Sequence, residues 1–381
     1  MSASASAPSQ AVNTTASPVT RGSPACSGGD ASGSSGAGGA GGSGACGPHA
    51  VAGVEVAQSD VHGNVPYALG YPPYAVDGCR LAYVARPASG EEHGELRVRD
   101  LASGDEVVLA SATEKPRRPA IAGDLVAWEA DVGDRAVVRL ATSDGVITIE
   151  GAFDHAGEPR VTGDAVVFTA WLGADADADT DVYLYRPATK GLVAIATGPG
   201  QQRFADVSAT HVAWADFAED PDGAFDQEGE DAADIVVHDR ATTTSTTRHR
   251  PGKQAFPMLG ADGKIAYLDW GLVHPEPKFS AYDLLLGDPD GEGDADVVVD
   301  HVVTQQPYVR PIARGALLEW VAWPPAGEPA LLRRRVDLSK PAERVSGFEG
   351  FDVFGPSASD AITLLGTRAN GGATTLKAFA R

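Results

Sequence analysis

The chain has 381 residues, of which 43% are hydrophobic, and its formal net charge is −22. This charge excludes nucleic acid as the expected partner, because such affinity depends on Lys and Arg side chains that neutralise phosphates. No apolar run approaches the ~18–20 residues that cross a bilayer, and the apolar content is high enough for a large folded core. We therefore expect a folded protein without a transmembrane segment. We also expect it to be a monomer.

Residues 1–48 are rich in Ser, Ala and Gly, and hold too little apolar surface to fold, so we expect a disordered tether. Cys26 is followed by a Ser-Gly tract that resembles the start of a mature bacterial lipoprotein, which makes Cys26 a candidate lipid anchor. Residues 1–25, however, lack the basic and apolar stretches of a secretory signal peptide. A plain linker is the alternative.

Residues 49–381 contain seven copies of one short phrase, in which a turn leads into a strand that ends in a large apolar residue. The last residues of the seven copies are Tyr83, Trp128, Phe168, Trp214, Tyr267, Trp320 and Leu364. Successive copies lie 40–53 residues apart, a period that is typical of propeller blades.

Each phrase predicts a β-hairpin, because its central glycine suits a tight turn and the following residues alternate between apolar and polar. A second pair of strands follows in most copies, for example at 95–101 and 106–109. Four antiparallel strands per unit, without helical periodicity, predict an all-β fold: a β-propeller of seven four-stranded blades at 49–381, or six if the weak last copy is not a blade. The last unit has three strands, so the spare strand at 51–57 is expected to complete it.

The phrases at 119–128 and 180–191 resemble the repeats of TolB-like (WD40-like, PD40-type) propellers of bacterial periplasmic and archaeal surface proteins, over roughly residues 74–366. The resemblance implies a non-enzymatic, extracytoplasmic scaffold that binds a protein or polysaccharide of the cell envelope through one face of the disc. It identifies no catalytic residue. The alternative is a propeller-fold hydrolase or lyase with its active site at the central channel, where Asp206 and His155 are the residues to consider.

Alternating carboxylates are the most conspicuous polar feature, and they suit an oxygen-ligated Ca²⁺ ion, the one cofactor we consider. The candidate ligands are Asp175, Asp177, Asp179, Asp181, Asp220 and Asp222. An EF-hand loop would need Gly and Glu where the first segment has Thr180 and Arg186, so a solvated acidic loop is the alternative. The strand order places both segments on one face in adjacent blades, and a third acidic loop at 288–296 on the opposite face.

Six tryptophans fall into two groups. Trp128, Trp214 and Trp320 recur in register and are expected to pack in the core. The other three lie just beyond the predicted strands of the repeated phrase. They are candidates for stacking on a sugar or contacting a protein partner: Trp171, Trp270 and Trp323.

Two cysteines lie near the predicted point of ring closure. Cys46 precedes the closing strand, and Cys79 lies in the turn of the first unit. We expect either a disulfide that pins the closure in an oxidising compartment or two unpaired thiols.

Overall fold

The computed structural model describes the folded part of the chain, with gaps. The described residues are 46, 54–59, 71–87, 92–173, 179–220, 232–261, 263–271, 280–291, 293, 295–304, 310–322, 328–347, 352–353, 356–368 and 374–381. The predicted tether, except for Cys46, and the candidate anchor Cys26 lie outside these residues.

The repeated phrase forms a hairpin, as predicted. Gly78, Gly123 and Gly315 occupy its turn with φ of 54–55°, in the left-handed region that glycine enters without steric cost. The strand after the turn is mostly buried, as in Leu125–Val132, because it carries the apolar residues that meet the neighbouring blade.

Six blades are four-stranded antiparallel sheets in which the chain order of the strands is also their spatial order. Blade 1 follows the first strand of the chain, β1 (Val54–Ser59), and contains β2 (Tyr74–Asp77), β3 (Arg80–Val84), β4 (Leu96–Asp100) and β5 (Glu106–Ala110). Blade 2 contains β6 (Arg117–Ala122), β7 (Leu125–Val132), β8 (Arg135–Thr142) and β9 (Gly145–Thr148). Blade 3 contains β10 (His155–Thr162), β11 (Ala165–Trp171), β12 (Asp181–Arg186) and β13 (Gly191–Ala196).

The next three blades have the same arrangement. Blade 4 contains β14 (Gln202–Val207), β15 (His211–Asp216), β16 (Asp234–Asp239) and β17 (Ser245–Arg248). Blade 5 contains β18 (Gln254–Ala261), β19 (Lys264–Asp269), β20 (Ser280–Gly287) and β21 (Val297–Thr304). Blade 6 contains β22 (Ile312–Arg314), β23 (Leu317–Ala322), β24 (Ala330–Arg335) and β25 (Glu343–Gly347).

Blade 7 combines strands that are distant in the sequence. Its later strands are β26 (Asp352–Val353), β27 (Ser357–Ala358), β28 (Ile362–Arg368) and β29 (Thr374–Ala380). Both β26 and β27 pair with β28, and β1 pairs antiparallel with β29 from Val54 opposite Ala378 to Ser59 opposite Thr374. This pairing confirms the closure by an N-terminal strand and the count of seven blades.

The first strands of successive blades are neighbours around the ring, in the order β2, β6, β10, β14, β18, β22 and β27, and β27 again contacts β2. The core lies between the blades. Trp128, Trp214 and Trp320 are at most 3% exposed there, as expected. A single turn of 3₁₀ helix, Ala112–Glu114, leads into blade 2. Within the described ranges, none of the helices has the length and apolar character needed to cross a membrane.

Cys46 and Cys79 form a disulfide, with their Cα atoms 5.2 Å apart. Cys46 is buried in a cluster that contains Tyr74 of blade 1 and Leu376 of blade 7. The bond therefore lies at the junction where the ring closes, and the disulfide is confirmed over the alternative of two thiols.

Candidate binding face

Two kinds of connection share one face of the disc: those between the second and third strands of a blade, and those from one blade to the next. The antiparallel order brings both to the same end of the strands. We call this face the loop face. Residues 172–180 connect β11 to β12 there, and residues 217–233 connect β15 to β16. The third acidic loop, 288–296, joins β20 to β21 at the opposite face, so the predicted placement of all three is confirmed.

Asp179 and Asp181 are the described Ca²⁺ candidates of blade 3. Asp179 is exposed, and Asp181 begins β12. Burial raises the pKa of Asp181 and the charge of Asp179 adds to this, whereas a hydrogen bond from Tyr183 acts in the opposite direction. Ca²⁺ binding here stays a prediction. The predicted residues that lie outside the described ranges are Asp175, Asp177, Asp222 and Trp323.

Asp220 has a different environment from that of an exposed ligand. It is buried, and its Oδ2 accepts a hydrogen bond from the backbone N–H of Ala232 at 2.6 Å. This bond links the two residues that flank 221–231. The carboxylate of Asp220 therefore holds the start and the end of the acidic connection together.

The two described tryptophan candidates differ in exposure. Trp171 is half-buried at the loop-face end of β11, where its ring stacks on the imidazole of His155 with centroids 5.4 Å apart. Trp270 is 6% exposed and packs against Phe256 and Tyr282. The core contacts of Trp270 leave little of its ring to a ligand, whereas Trp171 offers part of its surface. Partner binding by either residue stays a prediction.

A cavity of about 340 Å³ opens on the loop face where blade 4 meets blade 5. Its wall contains the side chains of Glu219, Asp234, His249 and Arg250, and the Pro251-Gly252 segment. Glu219 and Asp234 come from the two ends of the acidic connection of blade 4, and the others come from the connection to blade 5.

Asp234 lies at the centre of the polar contacts in this cavity. Its Oδ2 is 2.6 Å from Nδ1 of His249, and its Oδ1 accepts a hydrogen bond from the backbone N–H of Arg250 at 3.3 Å. Burial raises the pKa of Asp234, and the charge of Glu219 raises it further. The hydrogen bonds from Arg250 and His249 lower this pKa but do not cancel the effect of burial. Arg250 itself donates from Nε to Oδ2 of Asp269 at 2.8 Å.

The cavity wall is fixed by a phrase that occurs twice, Pro-Gly-x-Gln-x-Phe at 199–204 and again at 251–256. In the second copy, Gln254 donates from Nε2 to the carbonyl of Pro251 at 3.3 Å and to Oδ1 of Asp269 at 3.0 Å. The glutamine of the first copy makes the equivalent bonds. This phrase is visible in the sequence and marks two blade junctions, but the sequence reasoning missed it, and with it the cavity.

The ring of Tyr71 occupies the central channel. The guanidinium carbons of Arg118, Arg160 and Arg310, from blades 2, 3 and 6, lie 5.8, 4.4 and 5.8 Å from its centroid. Tyr71 is buried, and burial, with a smaller effect of the Glu158 charge, raises its pKa. Burial and the neighbouring charge of Arg310 lower the pKa of Arg160 to about 10.

Ion pairs within blade 2 and between blades 2, 3 and 4 share two buried carboxylates. Glu129 of β7 lies 2.6 Å from Nε of Arg117 and 2.8 Å from Nη1 of Arg118, both in β6 of the same blade. Glu158 of β10 lies 3.9 Å from Nη1 of Arg118 in blade 2 and 2.6 Å from Nη2 of Arg203 in blade 4. Burial alone would raise the pKa of both carboxyls, but the arginines outweigh it and both pKa values are lowered. Both carboxylates are therefore ionised and engaged in pairs within the channel wall.

A substitution at Gly157 tests how tightly the ion pairs of Glu129 are packed. A Cβ added at this position would lie 2.5 Å from Oε2 of Glu129. We expect Gly157→Ala to lower the free energy of unfolding by about 1–3 kcal/mol, since the carboxylate must move away from its arginines. Urea denaturation followed by tryptophan fluorescence measures the change. At Gly163 an added Cβ meets nothing within 4 Å, so Gly163→Ala is the control. Equal losses in the two variants would contradict the interpretation.

The two residues considered for channel chemistry have separate partners. Asp206 accepts a hydrogen bond from the backbone N–H of Leu259 at 2.8 Å and lies 3.6 Å from Nη2 of Arg310. His155 lies at the loop-face end of β10, where its Nδ1 accepts a hydrogen bond from the backbone N–H of Ala136 at 3.1 Å. The structure therefore holds each side chain through a contact with a neighbouring blade.

No family model matches the chain, and neither does a curated protein. Solved structures are similar to it. The β-propeller domain of the Trilobed protease from Pyrococcus furiosus is 10% identical at a TM-score of 0.57, and the match covers 86% of this chain and 93% of that one. TolB from Acinetobacter baumannii is 16% identical at a TM-score of 0.48, covering 74% and 67%. A prolyl endopeptidase is 11% identical at a TM-score of 0.50, covering 78% and 46%.

The chain is a seven-bladed β-propeller. At these identities the likeness shows the fold alone. The propeller of the Trilobed protease has an open velcro topology, whereas β1 closes blade 7 of this propeller.

Proposed function

We propose that this propeller is a non-enzymatic, extracytoplasmic scaffold that binds a basic segment of a protein partner through the loop face of blades 3 and 4. The position of the two acidic connections carries the proposal. Residues 172–181 hold four carboxylates and residues 217–234 hold eight, and neither range contains Lys or Arg. Both connections belong to adjacent blades and share one face.

A concentration of one charge on one face favours a partner of the opposite charge. Such a field accelerates the encounter and suppresses partners of like charge, and it acts over about 10 Å at 0.1 M salt. The proposal therefore predicts binding that weakens as salt is added.

Two further observations support this proposal. The ring of Tyr71 is buried among three arginines of blades 2, 3 and 6, which favours contact through a face over chemistry in the channel. The disulfide between Cys46 and Cys79 supports an extracytoplasmic location, because such bonds persist in oxidising compartments.

The test removes three charges from the loop face, in the variant Asp175→Asn, Asp177→Asn, Asp179→Asn. We expect its Kd for a fluorescent lysine-rich peptide, measured by anisotropy at low salt, to rise about tenfold, because each exposed charge pair is worth about 0.2–1 kcal/mol. Added salt is expected to reduce this difference.

The matched control removes three charges from the opposite face, in turns of blades 1 and 2, through Asp105→Asn, Asp124→Asn and Asp144→Asn. Its net charge equals that of the first variant, so a Kd within about twofold of the wild-type value is expected for binding that depends on position. Equal weakening in both variants, or tighter salt-independent binding of a neutral polysaccharide fragment, would overturn the proposal.

A further inference from the structure

Three potential metal ligands converge in the cavity between blades 4 and 5. Glu219 follows β15, Asp234 begins β16, and His249 follows β17. Each offers one donor atom, and the three atoms lie within 4.8 Å of one another. The same side chains form part of the wall of the 340 Å³ cavity, so space for an ion is present beside them.

The donor types indicate which ion fits. Two carboxylates offset the charge of a divalent cation, and an imidazole favours Zn²⁺ and related transition metals over Ca²⁺ and Mg²⁺, which prefer oxygen ligands alone. Asp234 is held in place by the backbone N–H of Arg250, which orients its carboxylate. His249 has 69% of its side chain exposed, so the ring is free to adjust to an ion.

A second group with this spacing shows why the cavity is the better site. His211, Asp239 and Asp290 also bring three donors within 4.8 Å, on the opposite face. Asp239, however, accepts hydrogen bonds from the backbone N–H groups of Ala241 and Thr242, and His211 is buried. One of its three ligands is therefore already used to hold a turn, and a second is buried.

We propose that Glu219, Asp234 and His249 bind a divalent transition metal ion of the Zn²⁺ type. The ion joins both ends of the acidic connection of blade 4 to the connection that leads into blade 5. Three chain segments that are otherwise linked by a few hydrogen bonds are then held at one point on the loop face.

Isothermal titration of the metal-free full chain with Zn²⁺ tests the proposal. We expect one ion per chain with a micromolar Kd, and a Kd at least tenfold weaker in His249→Ala and in Asp234→Asn. The melting temperature of the metal-free protein checks that each variant is folded, and Zn²⁺ is expected to raise that of the wild type.

His301 supplies a matched control. It is exposed in blade 5, and its Nδ1 lies 2.5 Å from Oδ1 of Asp283, much as His249 contacts Asp234. The three-donor groups found among the described residues do not include this pair. We expect His301→Ala to bind Zn²⁺ as the wild type does.

Three results would overturn the proposal: no binding at millimolar Zn²⁺, a His249→Ala Kd within twofold of the wild-type value, or equal weakening in His301→Ala. A Kd for Ca²⁺ that is lower than that for Zn²⁺ and unchanged in His249→Ala would also overturn it, because the ion would then be bound by other acidic residues. These outcomes are separate from the proposed function, because the titration uses no partner and the three Asp→Asn changes of blade 3 leave all three ligands intact.

Discussion

Glu319→Gln is expected to lower the free energy of unfolding by about 3–5 kcal/mol, the usual cost of removing one member of a buried ion pair. Glu319 is 0% exposed between blades 6 and 7. Its carboxylate lies 2.7 Å from Nε of Arg333 and 3.4 Å from Nε of Arg381, and it accepts a hydrogen bond from Oγ1 of Thr363. Glutamine keeps the shape but leaves two guanidiniums without their buried counter-charge.

Glu343→Gln provides the control for this prediction. Glu343 lies 4.0 Å from Nη1 of the same Arg333, but 68% of its side chain is exposed. The loss there is expected to be within about 1 kcal/mol, because exposed pairs contribute little. Urea denaturation of both variants gives the comparison. Indistinguishable midpoints would show that burial of Glu319 does not control the stability of this junction.

Reduction of the Cys46–Cys79 disulfide, or its removal in a Cys46→Ser, Cys79→Ser variant, is expected to destabilise the propeller by about 3–4 kcal/mol. The bond closes a loop with a sequence separation of 33 residues, for which the chain-entropy model gives a value of about this size. Urea denaturation with and without reductant measures the change in midpoint.

The third cysteine, Cys26, provides the control, because it takes no part in this bond. Cys26→Ser is expected to have the midpoint of the wild type and to lose stability with reductant to the same extent. A midpoint that does not respond to reductant would contradict the view that the disulfide pins the ring closure.

The architecture could be predicted because its signal is local and repeated. Each hairpin is encoded by a glycine turn beside a strand of alternating residues, and seven such units at a regular spacing indicate a ring. The closing strand can be predicted by counting the strands of each unit, since the last unit has three and the others have four. The sequence predicts it at 51–57, and it pairs with β29 over Val54–Ser59.

The candidate site depends on which strand ends meet at the loop face, which a linear pattern does not encode. His249 and Asp234 are 15 residues apart and meet only because β17 returns to the loop face beside the start of β16. The position of the Tyr71 ring among the arginines of the channel could not be predicted either, because Tyr71 precedes the first unit and occupies no position of the repeat. The sequence makes Trp270 a binding candidate, and the contacts that the rings of Phe256 and Tyr282 make with it depend on the fold.

The way in which blade 7 is completed has a consequence for biosynthesis. Each of the other six blades consists of consecutive strands, so each can assemble as the nascent chain leaves the ribosome. β1 is translated before all of them, whereas its partner β29 is translated after all of them. Until β29 has been made, β1 therefore lacks its partner, and its edge exposes hydrogen-bonding groups that chaperones and proteases can recognise.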